Sequence, residues 1–330
     1  VHRRLHISRR SVSLAIGVAL LPAAAARAQP AAWPERTIRL VVPFGPGGTA
    51  DLIARLIREP LAQQLGQPVV VENRAGAGGA LGTEWVAKSG PDGYTIAMAT
   101  QSTHAANPAL NPKLAYDPLR DFAPISMLAV VPGVLAVHPS LPAQTMPELI
   151  ALIRHNPGKL SYGTPGIGSL GHLLMAQFEQ LHQLELVHVP YRSGAALLTD
   201  ALSGQLQIVG DNLLSALPYL RAGRLRALAV LAPHRVALLP DVPTYAELGY
   251  GEIGKPAWFG LVAPALTPPA VIERINGAVR AVMKQPEVLA TLAQSNSEPA
   301  AGTPEEFARA IRTTLEAFRA VVAERDIKLE

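Results

Sequence analysis

The segment Val41–Asp51, VVPFGPGGTAD, decides how the chain is read. It follows an apolar, β-branched run and opens a helical pattern. Gly45, Gly47 and Ala50 stand at the spacing G-x-G-x-x-A, the outline of a dinucleotide-binding turn. A helix starting near Thr49 leaves its first backbone N–H groups unpaired and carries a partial positive charge at that end, so it attracts anions. The question is which anion.

On either side of the turn, strand-like and helix-like patterns alternate. TIRLVV is strand-like. DLIARLIREPLAQQLG places Leu52, Ile53, Leu56, Ile57, Leu61 and Leu65 near helical spacing, with Pro60 as a kink and Gly66 as a stop. PVVVEN, RAGAGG, ALGTEWVAKS, GPDG and YTIAMAT continue as strand, turn, helix, turn and strand, a βαβαβ order that predicts a mainly parallel sheet. The middle of the chain repeats the logic. KLSYGT reads as a strand, PGIGS as a turn and LGHLLMAQFEQLH as a helix; LELVHVPY, ALLTDALSG, LQIVG and LRALAVLA follow. Near the end, Thr267-Pro268 and Thr303-Pro304 read as helix caps, the latter with Glu306 as a capping box. Two such units, each with a Gly-rich turn between strand and helix, predict an α/β fold of two Rossmann-like lobes with a ligand cleft between them, since open α/β sheets bind ligands at the carboxyl ends of their strands.

Residues 1–28 have a basic start, a short apolar run and an Ala26-Arg27-Ala28 end, the pattern of a cleaved secretory signal peptide; Ser8-Arg9-Arg10 leaves the twin-arginine route open. Removal leaves 302 of 330 residues and takes away five arginines and no acid, so the formal charge falls from +4 to −1. Nucleic-acid binding therefore has no basis in net charge. The chain has no cysteine, which excludes disulfides, thiol catalysis and cysteine metal sites.

Three chemistries compete for the turns. Glu72, ending the second strand, stands where a dinucleotide-binding acid would hold a ribose, so an NAD-dependent oxidoreductase using Val41–Glu72 is the main alternative. Pro46 inside the turn removes a donor, and export misplaces a cytosolic cofactor. Ser169 and His172 hint at a serine hydrolase, but position 167 is Ile, which breaks the G-x-S-x-G elbow. The histidines lack metal-ligand spacing, and His104, His138 and His188 read as isolated structural residues. Asp211 suits either a ligand ammonium or a helix cap.

Taken together and in order, several segments are specific. WPERTIRLVVPFGPGGTAD, LGQPVVVENRAGAGGALGTEWVAKSGPDGYT, YDPLRDFAPI, YGTPGIGSLGH, HVPYRSGAA, GRLRALAV, LPDVPTYAELGY and WFGLVAP resemble the Bug (TctC-like) family, periplasmic solute receptors of tripartite tricarboxylate transporters, from about Trp33 to the C-terminus. The resemblance implies no catalysis and no cofactor or metal. It implies a monomer that closes on a small carboxylate and works with membrane permease subunits. It places chain crossings near Pro132-Gly133 and Trp258, giving domains of 29–132 plus 258–330 and of 133–257. By the same resemblance, Phe44, Gly47, Gly48, Thr49 and Asp51 grip the carboxylate with Thr164, Gly168 and Ser169 opposite, while Gln101, Ser102, Thr103 and Asp211 set specificity. The family's aromatic residue before Asp-Asn is Gly210 here, which implies a larger pocket.

Overall fold

A computed structural model describes residues 33–251 and 253–328, together with His2. The expected signal peptide lies outside the described residues. Trp33–Glu330 forms one compact unit.

The chain first lays down β1 (Ile38–Val42), α1 (Thr49–Leu65), β2 (Val69–Asn73), α2 (Ala80–Ala87), β3 (Thr95–Thr100), α3 (Asn107–Leu110) and β4 (Phe122–Val131). It continues through β5 (Gly133–Val137), α4 (Met146–His155), β6 (Ser161–Thr164), α5 (Leu170–His182), β7 (Val187–Pro190), α6 (Gly194–Ser203), β8 (Ile208–Asn212), α7 (Leu213–Arg221) and β9 (Arg226–Leu231). It ends with β10 (Ala257–Pro264), α8 (Pro269–Val282), α9 (Pro286–Ala293), β11 (Glu298–Pro299) and α10 (Pro304–Glu324).

Two sheets result, ordered β11-β4-β10-β3-β1-β2 and β7-β6-β8-β5-β9. Alternation along each strand sends side chains to two separate cores. Ile38, Leu40 and Val42 pack on one face of the first sheet with Ile53, Ile57 and Leu61 of α1, and with α8. Val41, Ala97 and Ala99 face the other way, toward Phe307 and Ile311 of α10. The second sheet is covered on one face by α4 and α5 and on the other by α6 and α7. Leu52, expected on the apolar face of α1, is exposed. Thr303 and Glu306 form the reciprocal capping box. The other cap shifts by one residue: Pro268 is the N-cap and α8 begins at Pro269.

The sheets are more mixed than the βαβαβ pattern predicts. β10 runs antiparallel to β3 and β4, and β5 antiparallel to β8 and β9. The cause is the crossing itself. Only Pro132 separates β4 from β5, so the chain leaves the first sheet at a carboxyl end and enters the second at the same place, heading away from it. β10 enters the first sheet the same way on the return.

Candidate ligand-binding cleft

The carboxyl ends of β1, β3, β6, β8 and β9 and the starts of β5 and β10 all meet at one cavity of about 100 Å³, between the two sheets. Its walls include Phe44, Val134, Leu174, Met175, Leu231 and Phe259, so it is largely apolar. Its polar groups are few and come mainly from helix starts: Thr49 and Ala50 of α1, Leu170 and Gly171 of α5, Gly194 of α6, and Asp211-Asn212 before α7.

The opening turn is held rigidly. Asp51 is 2% exposed, and its carboxylate accepts the Gly47 N–H at 3.0 Å, the Arg55 Nε–H at 2.9 Å and the Asn73 Nδ2–H at 2.9 Å. Asn73 also donates to the Phe44 carbonyl at 3.0 Å. Burial works to raise the Asp51 pKa, but these donors and the Arg55 charge hold it below the usual value. Gly47 needs its left-handed φ of 83° for this bend. With the loop fixed, the first amides of α1 have no intrahelical acceptor and line the cavity.

The second lobe presses against this turn. The Gly45 N–H donates to the Arg192 carbonyl at 3.2 Å, and a Cβ at Gly194 would come within 3.0 Å of the Gly48 Cα. The Ser102 hydroxyl accepts the Leu170 N–H at 3.0 Å, so a residue of the first lobe caps a helix of the second. The structure is therefore closed around its cavity.

Six of the twelve residues singled out in the sequence line this space: Phe44, Gly48, Thr49, Gln101, Ser102 and Asp211. The other six stand behind it. Gly47 and Asp51 brace the first turn. Thr103 is fully buried, and its hydroxyl is bonded to the Thr100 N–H and to His104. The Thr164 hydroxyl bonds the His188 ring at 2.7 Å. Gly168 donates to the His172 ring, and Ser169 is the N-cap of α5, accepting the His172 N–H. Leu174, Met175, Leu231, Tyr245, Lys255 and Phe259 line the cavity without having been singled out. Leu174 and Met175 follow one turn after the α5 start and were within reach of the helical spacing; Tyr245 lies inside the quoted segment LPDVPTYAELGY, which gave no sign of a ligand contact, and Lys255 lies outside every quoted segment.

His188, expected to stand alone, is coupled to His172: the two rings stack with centroids 4.4 Å apart. Burial, then the neighbouring His172, pulls the His188 pKa down to about 4. Among the described residues no group of three or more His, Cys, Asp or Glu could hold a metal.

The family model described as tripartite tricarboxylate transporter family receptor matches residues 53–327. The chain belongs to that family. It is 36% identical over 299 residues to the protein BugT of Bordetella pertussis, covering 90% of this chain and 92% of that one. It also superposes on the solved structure of the periplasmic binding protein BugD, with a TM-score of 0.87 and 30% identity over 90% of this chain and 100% of that one. A Rhodopseudomonas palustris protein, Rpa4515, solved with adipate, gives a TM-score of 0.85 at 35% identity, covering 90% and 99%. Family members are solute receptors, not enzymes.

The oxidoreductase alternative falls with this, and the geometry supplies the reason. Glu72 is tied up by Arg39 at 3.4 Å and Arg74 at 2.5 Å. The glycine turn is filled by the 192–195 loop of the other lobe, which leaves no room for a diphosphate. The hydrolase reading fails because the Ser169 hydroxyl is buried as a helix cap.

Proposed function

We propose that this receptor captures a small organic carboxylate in the periplasm, after removal of residues 1–28, and delivers it to the membrane permease subunits of a tripartite transporter as a monomer. The observation that carries this reading is the convergence of the α1 and α5 starts on one cavity between the sheets. The α1 start offers the unpaired amides of Thr49 and Ala50, and the α5 start that of Gly171, since Ser102 and Ser169 take those of Leu170 and His172; the partial positive charge at both ends suits a carboxylate. The adipate complex of the R. palustris relative supports the same class of ligand.

Capture works by lobe closure. The lobes, 29–132 with 258–330 and 133–257, rotate about the crossings near Pro132-Gly133 and Trp258, and the ligand favours the closed form through contacts made only there. Thr49 and Gly48 hold the carboxylate from the first lobe, with the α5 start opposite. Gly47, Asp51, Thr164, Gly168 and Ser169 hold those amides in position. Di- and tricarboxylates, acidic amino acids and aromatic carboxylates all fall within the class.

A thermal-shift screen against three- to six-carbon carboxylates, acidic amino acids, nicotinate and NAD tests the reading. Stabilisation by one or more carboxylates is expected. Stabilisation by NAD with none by any carboxylate would overturn it.

A further inference from the structure

Gln101, the residue immediately after β3, is only 5% exposed, and its Oε1 has no hydrogen-bond partner in the protein. It lines the cavity next to Ser102, whose hydroxyl takes the first amide of α5. A buried acceptor without a donor is costly, so such a group in a binding site points to a donor on the ligand. The α1 and α5 starts present amide donors, which a carboxylate satisfies; Gln101 Oε1 is of the opposite kind.

Across the cavity, on the other sheet, stands a second acceptor. The Asp211 carboxylate takes the Asn212 N–H at 2.7 Å and the Ser215 hydroxyl at 2.8 Å, one on each oxygen, and each oxygen keeps accepting capacity. Burial in the cavity wall is the main force on this carboxyl, outweighing both donors and raising its pKa to about 6. A ligand cation or hydroxyl facing it offsets that burial, whereas a bare methylene does not.

We propose that the cavity selects carboxylates bearing a hydrogen-bond donor beside the carboxylate, a hydroxyl or an ammonium, received by Gln101 Oε1 with Asp211 as the acceptor on the facing sheet. This rests on the carboxylate-receptor reading and narrows it. A site built to bond a ligand O–H or N–H discriminates steeply against the analogue that lacks it.

Calorimetric titration of the unaltered protein with two matched series tests this: succinate, malate and aspartate, and phenylacetate, mandelate and phenylglycine. Within the series that binds, the hydroxy or amino acid is expected to bind at least about tenfold tighter than its unsubstituted parent. Which of the two wins separates hydroxyl from ammonium. Gln101→Leu, close in size but without the acceptor, is expected to reduce that ratio to within about threefold, with melting temperature checked in parallel. Parent acids binding as well as their substituted partners would overturn the inference and leave the receptor reading intact. So would a Gln101→Leu variant that folds and keeps the full ratio. Failure of every carboxylate, here and in the wider screen, would overturn both.

Discussion

The hydroxyl of Thr49, at the start of α1, lies 3.0 Å from the hydroxyl of Ser215 on α7, and Ser215 donates to Asp211 at 2.8 Å. The Ser215 proton has both its acceptors on the second lobe, the Asp211 carboxylate and the Asn212 carbonyl at 3.0 Å, which leaves Thr49 as the donor to Ser215. The result is a hydrogen-bonded relay from the first lobe to an acid of the second, spanning the cleft. One such bond contributes about 0.5–1.5 kcal/mol net. Ser215→Ala is therefore expected to weaken ligand binding by about 2- to 10-fold, read by titration calorimetry with the carboxylate that stabilises the protein most. Unchanged affinity would mean that this relay does not contribute to closure.

Gly45 and Gly78 make the tightest glycine approaches between the lobes, and of the two Gly45 has no positive φ. A Cβ at Gly45 would lie 2.5 Å from the Ser193 Cβ and 3.1 Å from the Arg192 carbonyl oxygen. The position is not among those with positive φ, so alanine fits the turn itself and conflicts only with the opposite lobe. Overpacking of this kind costs about 1–3 kcal/mol. Gly45→Ala is expected to leave the ligand-free melting temperature within about 2 °C while weakening binding by about tenfold or more. Small-angle scattering should show a ligand-saturated variant more open than the wild type under the same conditions.

The alternation of patterns made the α/β class and the anion-attracting turns legible, because strand period, helix period and glycine position are local properties. The direction of β5 and β10 was not legible from periodicity: it depends on where the chain changes sheets, and the strand and helix patterns around Pro132 carry no sign of that; only the resemblance pointed there. In the site, residues at strand ends and helix starts were recoverable, such as Thr49 and Gln101. Side chains one turn further in, Leu174 and Met175, look like ordinary core positions on an amphipathic helix until the second sheet is placed opposite them. The coupling of His172 to His188 is a long-range contact between α5 and β7, which spacing along the chain cannot reveal.

Lys255 is the only cationic side chain lining the cavity among the described residues, and it forms no ion pair with a carboxylate of those residues. It is exposed, at the outer edge, so its reach extends to the end of a ligand remote from the helix starts. A second carboxylate there would form a solvent-screened ion pair of modest strength. Lys255→Ala is expected to weaken a dicarboxylate by about 2- to 5-fold, to leave the matching monocarboxylate nearly unchanged, and to lose the difference near 1 M salt. Equal effects on both ligands would remove Lys255 from any role in ligand choice.

The cleft also carries two titrations of opposite sign. His188 falls from an unfolded value near 6.5 to about 4. The native state then binds fewer protons than the unfolded one in that interval, so this contribution is present above pH 6.5 and is lost as pH falls through 4. Asp211 rises from 3.8 to about 6, so its contribution is present below 3.8 and is lost as pH rises through 6. Between pH 4 and 6 the two slopes oppose each other and flatten the profile of the wild type. Asp211→Asn removes one of them. Relative to wild type, its stability is expected to improve by about 1–3 kcal/mol on going from pH 4 to pH 7, with the acid-side loss due to His188 left uncompensated. Urea unfolding at pH 4, 5.5 and 7 measures this directly. A difference between variant and wild type that stays constant over the range would show that burial does not hold the Asp211 proton.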